Sequence, residues 1–192
     1  CDLVLLPNLN HKDPVLRVLL EDKRFRQALS LALDRDEINA VGYFGVGTPR
    51  QMAPPKTSDF YSAEYENAFV AHDLDKANQL LDDMGLIDRD DRGVRLMPDG
   101  RPLKLSLEAA TVNGGGILEL VVDHWRRLGM HAEVKDLARP LWQQRIHGKL
   151  HDVTVWSSSD EQIPLLDPRW FVPDNRDAFH AVGYGHWFNT DG

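Results

Sequence analysis

The residues with the most chemistry to offer stand together in WSSSDE, Trp156 to Glu161. The indole supplies an apolar wall with one N–H donor, the hydroxyls of Ser157 and Ser158 supply adjustable hydrogen bonds, and Asp160 or Glu161 supplies negative charge. Such a set suits a ligand carrying an ammonium group and side chains of varied character. The same letters also describe a core tryptophan followed by a polar loop.

Other chemistries fit less well. A serine hydrolase places its nucleophile on a sharp G-x-S-x-G elbow, which the chain lacks. A stand-alone hydrolase using Asp160 and His151 as acid and base is the alternative from the enzyme class, and a sensory or interaction domain is a third reading. The eight histidines raise a metal site, yet Gly148 separates His147 from His151, no HExxH occurs, and one cysteine excludes CxxC. Surface and packing roles are expected for them. Asp88, Asp90, Asp91 and Asp99 lack the closing Glu of a calcium loop and alternate with Arg89, Arg92 and Arg95, the pattern of a solvated hairpin. NGGG, before Ile117, is either an anion site at a helix start or a flexible loop.

The elements around these residues follow from periodicity. LKLSLEAA alternates as a strand, ILELVVDHWRRLG is a helix ended by Gly129, and MHAEVKDL is a second strand. RPLWQQRIHGK is a second helix and HDVTVWSSS a third strand. The order β-α-β-α-β predicts parallel strands with crossover helices on the faces. Ligands in open α/β sheets gather beyond the carboxyl ends of the strands, and WSSSDE begins where the third strand runs out. Trp125 and Trp142 lie on the amphipathic helices, where packing is their expected role.

Upstream, residues 2–9 read as a strand, and Pro14 suits the first turn of a short helix through Leu20. Phe25, Ala28, Leu29, Ala32 and Leu33 make one helical stripe. Asp34, with Glu37 three residues on, then opens a second helix in a close variant of the capping box. GYFGVGTPRQMAPPKTSDFY is an irregular connection, and its GVG is no phosphate loop because no Gly-Lys-Ser/Thr follows. DLDKANQLLDDM is a helix with Gly85 at its left-handed end. The tail from Asp160 has no clean period.

Composition bounds the rest. A chain of 192 residues holds one substantial core, and a net charge of −8 argues against a nucleic-acid binder. No apolar run approaches a membrane span. Cys1 runs straight into an apparent strand, which reads as a chain cut from a longer protein rather than as a lipid-anchored terminus.

FRQALSLALDRDEIN, followed by DLDKANQLLDDMGL and the segment ending HDVTVW, resembles the family 5 extracellular solute-binding proteins, the peptide-type binding components of bacterial ABC importers. The resemblance implies an α/β chain forming one lobe, residues 1–192, of a type II periplasmic-binding-protein-like fold. It also implies solute or peptide capture in a cleft against a second lobe, and ABC permease subunits as partners. The protein would be a monomer, periplasmic or extracellular and membrane-associated, with no catalysis, cofactor, metal or nucleic acid. By position it suggests Trp156 as a wall, Ser157 and Ser158 as polar contacts, and Asp160 as the ammonium partner, with Glu161 beside it as a further candidate from the residues themselves and Arg145 for a ligand carboxylate. The stretch WSSSDEQIPLLDP lacks the Gly beside Trp and the Tyr-x-Asp-Pro of peptide-binding relatives, so oligosaccharide or another solute stays open beside peptide.

Overall fold

Five short polar side chains start five helices. Asp13, Asp22, Asp34, Ser62 and Asp73 each accept a hydrogen bond from a backbone N–H of the first turn, satisfying donors that helix geometry leaves without partners. They open α1 (Pro14–Glu21), α2 (Lys23–Leu31), α3 (Arg35–Tyr43), α4 (Ala63–Asn67) and α5 (Leu74–Asp83). Beyond them come α6 (Gly115–Arg126), α7 (Arg139–His147) and α8 (Val182–Asn189). The computed structural model describes residues 3–110, 115–157 and 162–190.

The capping box at Asp34 is more elaborate than its spacing suggests. Asp34 accepts from the Glu37 N–H as expected, but Glu37 does not reach back. His124 of α6 stands between them. Its Nδ1 accepts the Asp34 N–H and its Nε2 faces Glu37 Oε2 at 2.8 Å, which fixes the proton on Nε2. The corner between α2 and α3 is thereby tied to α6.

Four strands form one sheet, β1 (Val4–Pro7), β2 (Lys104–Ala110), β3 (His131–Leu137) and β4 (Val153–Trp156), in the order β1-β4-β2-β3. β2 is parallel to β3 and to β4, as the alternating pattern predicts, while β1 pairs antiparallel to β4. The chain steps from β2 outward to β3, then back across β2 to β4. Right-handed crossovers in opposite directions place α6 and α7 on opposite faces.

Each strand therefore divides its side chains between two cores. Leu105, Leu107, Ala109 and Val153 join Phe25, Leu29, Val121 and Trp125 on one face. Leu6 and Ala110 join Trp142, Ile146, Trp170, Phe179 and Val182 on the other, with Trp156 packed against them. The period-2 pleat makes this division. Phe25 is fully buried, so its truncation to Ala would cost about 3–5 kcal/mol.

Two features depart from the sequence reading. The 88–102 segment is a hairpin, bridged at Arg89–Arg95 and Leu96–Pro102, but Arg95 is buried rather than solvated. It donates to the Leu128 and Leu86 carbonyls, to Asp82 and to Asn78 Oδ1. The aperiodic tail holds α8 and a 3-10 turn at Pro168–Trp170.

Candidate functional site

Because β2, β3 and β4 run parallel, Ala110, Leu137 and Trp156 end at one edge of the sheet. Ala110 is level with Leu137. Glu108 is level with Thr154, so Trp156 comes level with Ala110 two residues on. The connection after β2 leads to α6 on one face and the connection after β3 leads to α7 on the other, and ligands of open α/β sheets gather at the carboxyl edge of such strands. Ser157 follows Trp156 and is exposed.

A chain of polar contacts fixes the tryptophan pair at this edge. Trp142 is buried, and its Nε1–H donates to Thr154 Oγ1 at 2.8 Å. The Thr154 hydroxyl donates in turn to the Glu108 carbonyl at 2.9 Å. With its one donor satisfied, Trp142 is held in place. Trp156 stacks on it, centroids 4.9 Å apart and planes 16° from parallel. Phe179 meets both rings edge-on, and the Arg139 guanidinium lies over Trp156 at 5.1 Å.

Arg145 stands elsewhere. Its Nε and Nη2 close on the two carboxylate oxygens of Glu108, at 2.7 and 2.6 Å, and that hydrogen-bonded carboxylate raises the guanidinium above its ordinary value. Nε and Nη2 are thus used within the fold, since Nη2 also donates to the Leu150 carbonyl. The sequence expectation of a ligand carboxylate on Arg145 is not what the geometry offers. Ser158, Asp160, Glu161 and the NGGG loop up to Gly114 lie outside the described residues.

His151 faces the core. It is fully buried, with Nε2 at 3.0 Å from the Phe179 carbonyl and, among the described residues, no partner for Nδ1. Burial pushes its pKa down to about 4, so the ring stays neutral and serves packing rather than proton transfer at the rim. A second polar cluster joins Ser106, Asp152 and His11. Asp152 accepts from the Ser106 N–H and Oγ–H at 2.7 and 2.8 Å and faces His11 Nε2 at 3.1 Å. Burial works to raise this carboxyl, but the bonds from His11 and Ser106 outweigh it and hold it below the usual range. The carboxylate stands between the other two, so the imidazole cannot take the serine proton. The cluster ties β2 to the turn before β4. Among the described residues no group of three His, Cys, Asp or Glu is placed to hold a metal, and no helix is long and apolar enough to cross a membrane.

A cleft of about 1010 Å³ runs along the free side of β1 beside Leu5, Arg26, Arg35, Arg50, Val121 and Trp125. It does not include Trp156, Ser157 or Arg139. Its guanidinium groups are engaged by the fold. Arg26 donates to the Leu20 and Glu21 carbonyls, Arg35 to the Ser30 and Val70 carbonyls, and Arg50 pairs with Glu66. The volume of this cleft would suit a ligand, whereas the topology and the stacked aromatic residues favour the rim.

Comparisons with known proteins agree with this architecture. The model for bacterial extracellular solute-binding proteins, family 5 Middle, matches residues 4–171. The oligopeptide-binding protein OppA of Lactococcus lactis subsp. lactis (strain IL1403) is 27% identical over 183 residues, 88% of this chain and 28% of that protein. A solved oligopeptide-binding protein OppA superposes with a TM-score of 0.88 at 34% identity, over 97% of this chain and 30% of its own. Lactococcal OppA, complexed with an endogenous peptide in the closed conformation, gives 0.65 at 25% identity over 84% of this chain and 33% of its own. The chain thus spans less than a third of the curated OppA's length. These relatives are solute-binding proteins rather than enzymes. With the family model covering most of its length and the sheet built as the relatives' is, the chain belongs to the bacterial extracellular solute-binding proteins of family 5.

Proposed function

We propose that this chain is one lobe of a periplasmic or extracellular binding protein that captures oligopeptides for an ABC importer, without catalysis. The observation that carries the reading is the Trp142–Trp156 stack at the carboxyl edge of the parallel strands, in a chain similar to OppA over nearly its whole length. Trp156 and Ser157 would line one wall of a cleft closed by a second lobe, with Ser158 and either Asp160 or Glu161 meeting the ligand's polar and ammonium groups. Arg145 serves this wall indirectly, by anchoring α7 to β2. Closure would bury the peptide and present a closed shape to the permease.

A pocket shared between two walls draws affinity from both, so this lobe alone should hold peptide weakly. Native mass spectrometry of the longer protein, purified without refolding, tests the reading. Peptide masses released from the complex are expected. A sugar would reassign the solute, and a protein that carries no solute and takes up nothing from a tryptic peptide pool would contradict capture altogether.

A further inference from the structure

We infer that Arg139 reads a carboxylate on the ligand. This rests on the reading of the rim as a ligand site and deepens it by assigning the group that contacts the anionic part of the solute. Arg139 is the first residue of α7, directly after β3, and so stands at the same edge as Trp156. Its Cζ lies 5.1 Å from the Trp156 ring centroid, and the ring is itself backed by Trp142. A guanidinium held over an aromatic ring by cation–π attraction keeps its N–H donors available for the fork that matches a carboxylate. The ring thus places the group without consuming its hydrogen bonds.

The local electrostatics point the same way. Arg139 is exposed, and among the described residues no carboxylate lies within ion-pair distance of it, although Asp136 is three residues away. The other arginine of α7, Arg145, is closed on Glu108. The N-cap of α7 is Ala138, which offers no side-chain oxygen, so the helix end adds positive potential beside the guanidinium. In a chain of net charge −8, a guanidinium held on an aromatic face at a candidate ligand edge is a placed recognition group.

Binding of three probes to the chain by two-dimensional NMR tests this. The probes are tetra-alanine, tetra-alanine amide and Ala-Ala-Glu-Ala amide, so that a terminal carboxylate, none, and a side-chain carboxylate are compared. The wild type is expected to bind at least one carboxylate-bearing peptide about tenfold tighter than the neutral amide, the worth of a charge-assisted pair. In R139Q that preference should vanish, all three binding within about twofold of one another. Which carboxylate is preferred tells the terminus from a side chain. No preference in the wild type, or the same preference in R139Q, overturns the inference. If no peptide shifts any resonance, native mass spectrometry of the longer protein decides the oligopeptide reading, and sodium acetate decides the inference. A saturable shift of the Arg139 Nε–Hε resonance supports it, and an unmoved resonance sinks it.

Discussion

Arg145 of α7 grips Glu108 of β2 through two parallel hydrogen bonds, Nε to Oε2 and Nη2 to Oε1. Glu108 has no exposed surface at all, and this guanidinium is the positive charge that meets it in the interior. The same residue's carbonyl takes the Thr154 hydroxyl. One position on the central strand therefore fixes both the helix behind the rim and the tryptophan on which Trp156 rests.

Arg145→Ala should destabilise the chain by about 3 kcal/mol, the lower end of the cost of breaking a buried pair, because Arg145 keeps 28% of its side-chain surface in solvent. The double change E108L/R145M should recover most of that loss, since no buried charge remains. Urea denaturation followed by far-ultraviolet circular dichroism measures both. A stable Arg145→Ala protein would mean that the pair contributes little and that Arg145 is free for ligand.

Thr154→Val removes the hydroxyl that accepts from Trp142 and donates to Glu108 while keeping the shape. A buried indole N–H and a carbonyl lose their partner, which costs about 1–3 kcal/mol. The variant should also lose order in the Trp142–Trp156 stack, seen as faster hydrogen exchange of the Trp142 indole. Unchanged exchange and unchanged stability would show that packing alone holds the ring.

His151 gives a pH dependence with a defined sign. Its folded pKa is pushed down to about 4, mainly by burial, against an ordinary value of 6.5. Above pH 6.5 neither state holds the proton, and nothing changes. Between pH 6.5 and 4 the unfolded chain takes up a proton that the fold refuses, so stability falls as the pH falls, by at most about 1.4 kcal/mol per unit. His180, also lowered by burial, acts in the same direction. The carboxylates held below their usual values, Asp13 and Asp152 among them, lose their contribution only at still lower pH. His151→Asn should flatten the fall between pH 6.5 and 4 in thermal melts, whatever it does to the melting temperature at pH 7. An identical slope in wild type and variant would contradict a buried neutral imidazole.

Most of the framework was legible because it is periodic. The stripe from Phe25 to Leu33, the alternation from Lys104 to Ala110, the cap at Asp34 and the helix of DLDKANQLLDDM are local patterns, and the structure has each of them. The antiparallel β1 was not legible, since a run such as Leu3 to Leu6 shows that a strand is buried but not which neighbour it takes. Partnerships between distant residues were hidden for the same reason. Nothing in the spacing tells that Glu108 claims Arg145, that His124 enters the Asp34 cap, or that Arg95 goes inside. At the rim, Trp156 was readable from the end of its strand. Arg139 was not, because its significance comes from a ring it meets across the sheet edge.

The most direct test of the account is a map of where peptide touches this chain. Oligopeptide at millimolar concentration should shift the indole N–H of Trp156, the backbone N–H of Ser157 and the guanidinium of Arg139 in two-dimensional NMR, leaving Leu5, Arg35 and Val121 unmoved. Shifts confined to the cleft along β1, with Trp156 silent, would contradict a binding wall at the carboxyl edge of the sheet.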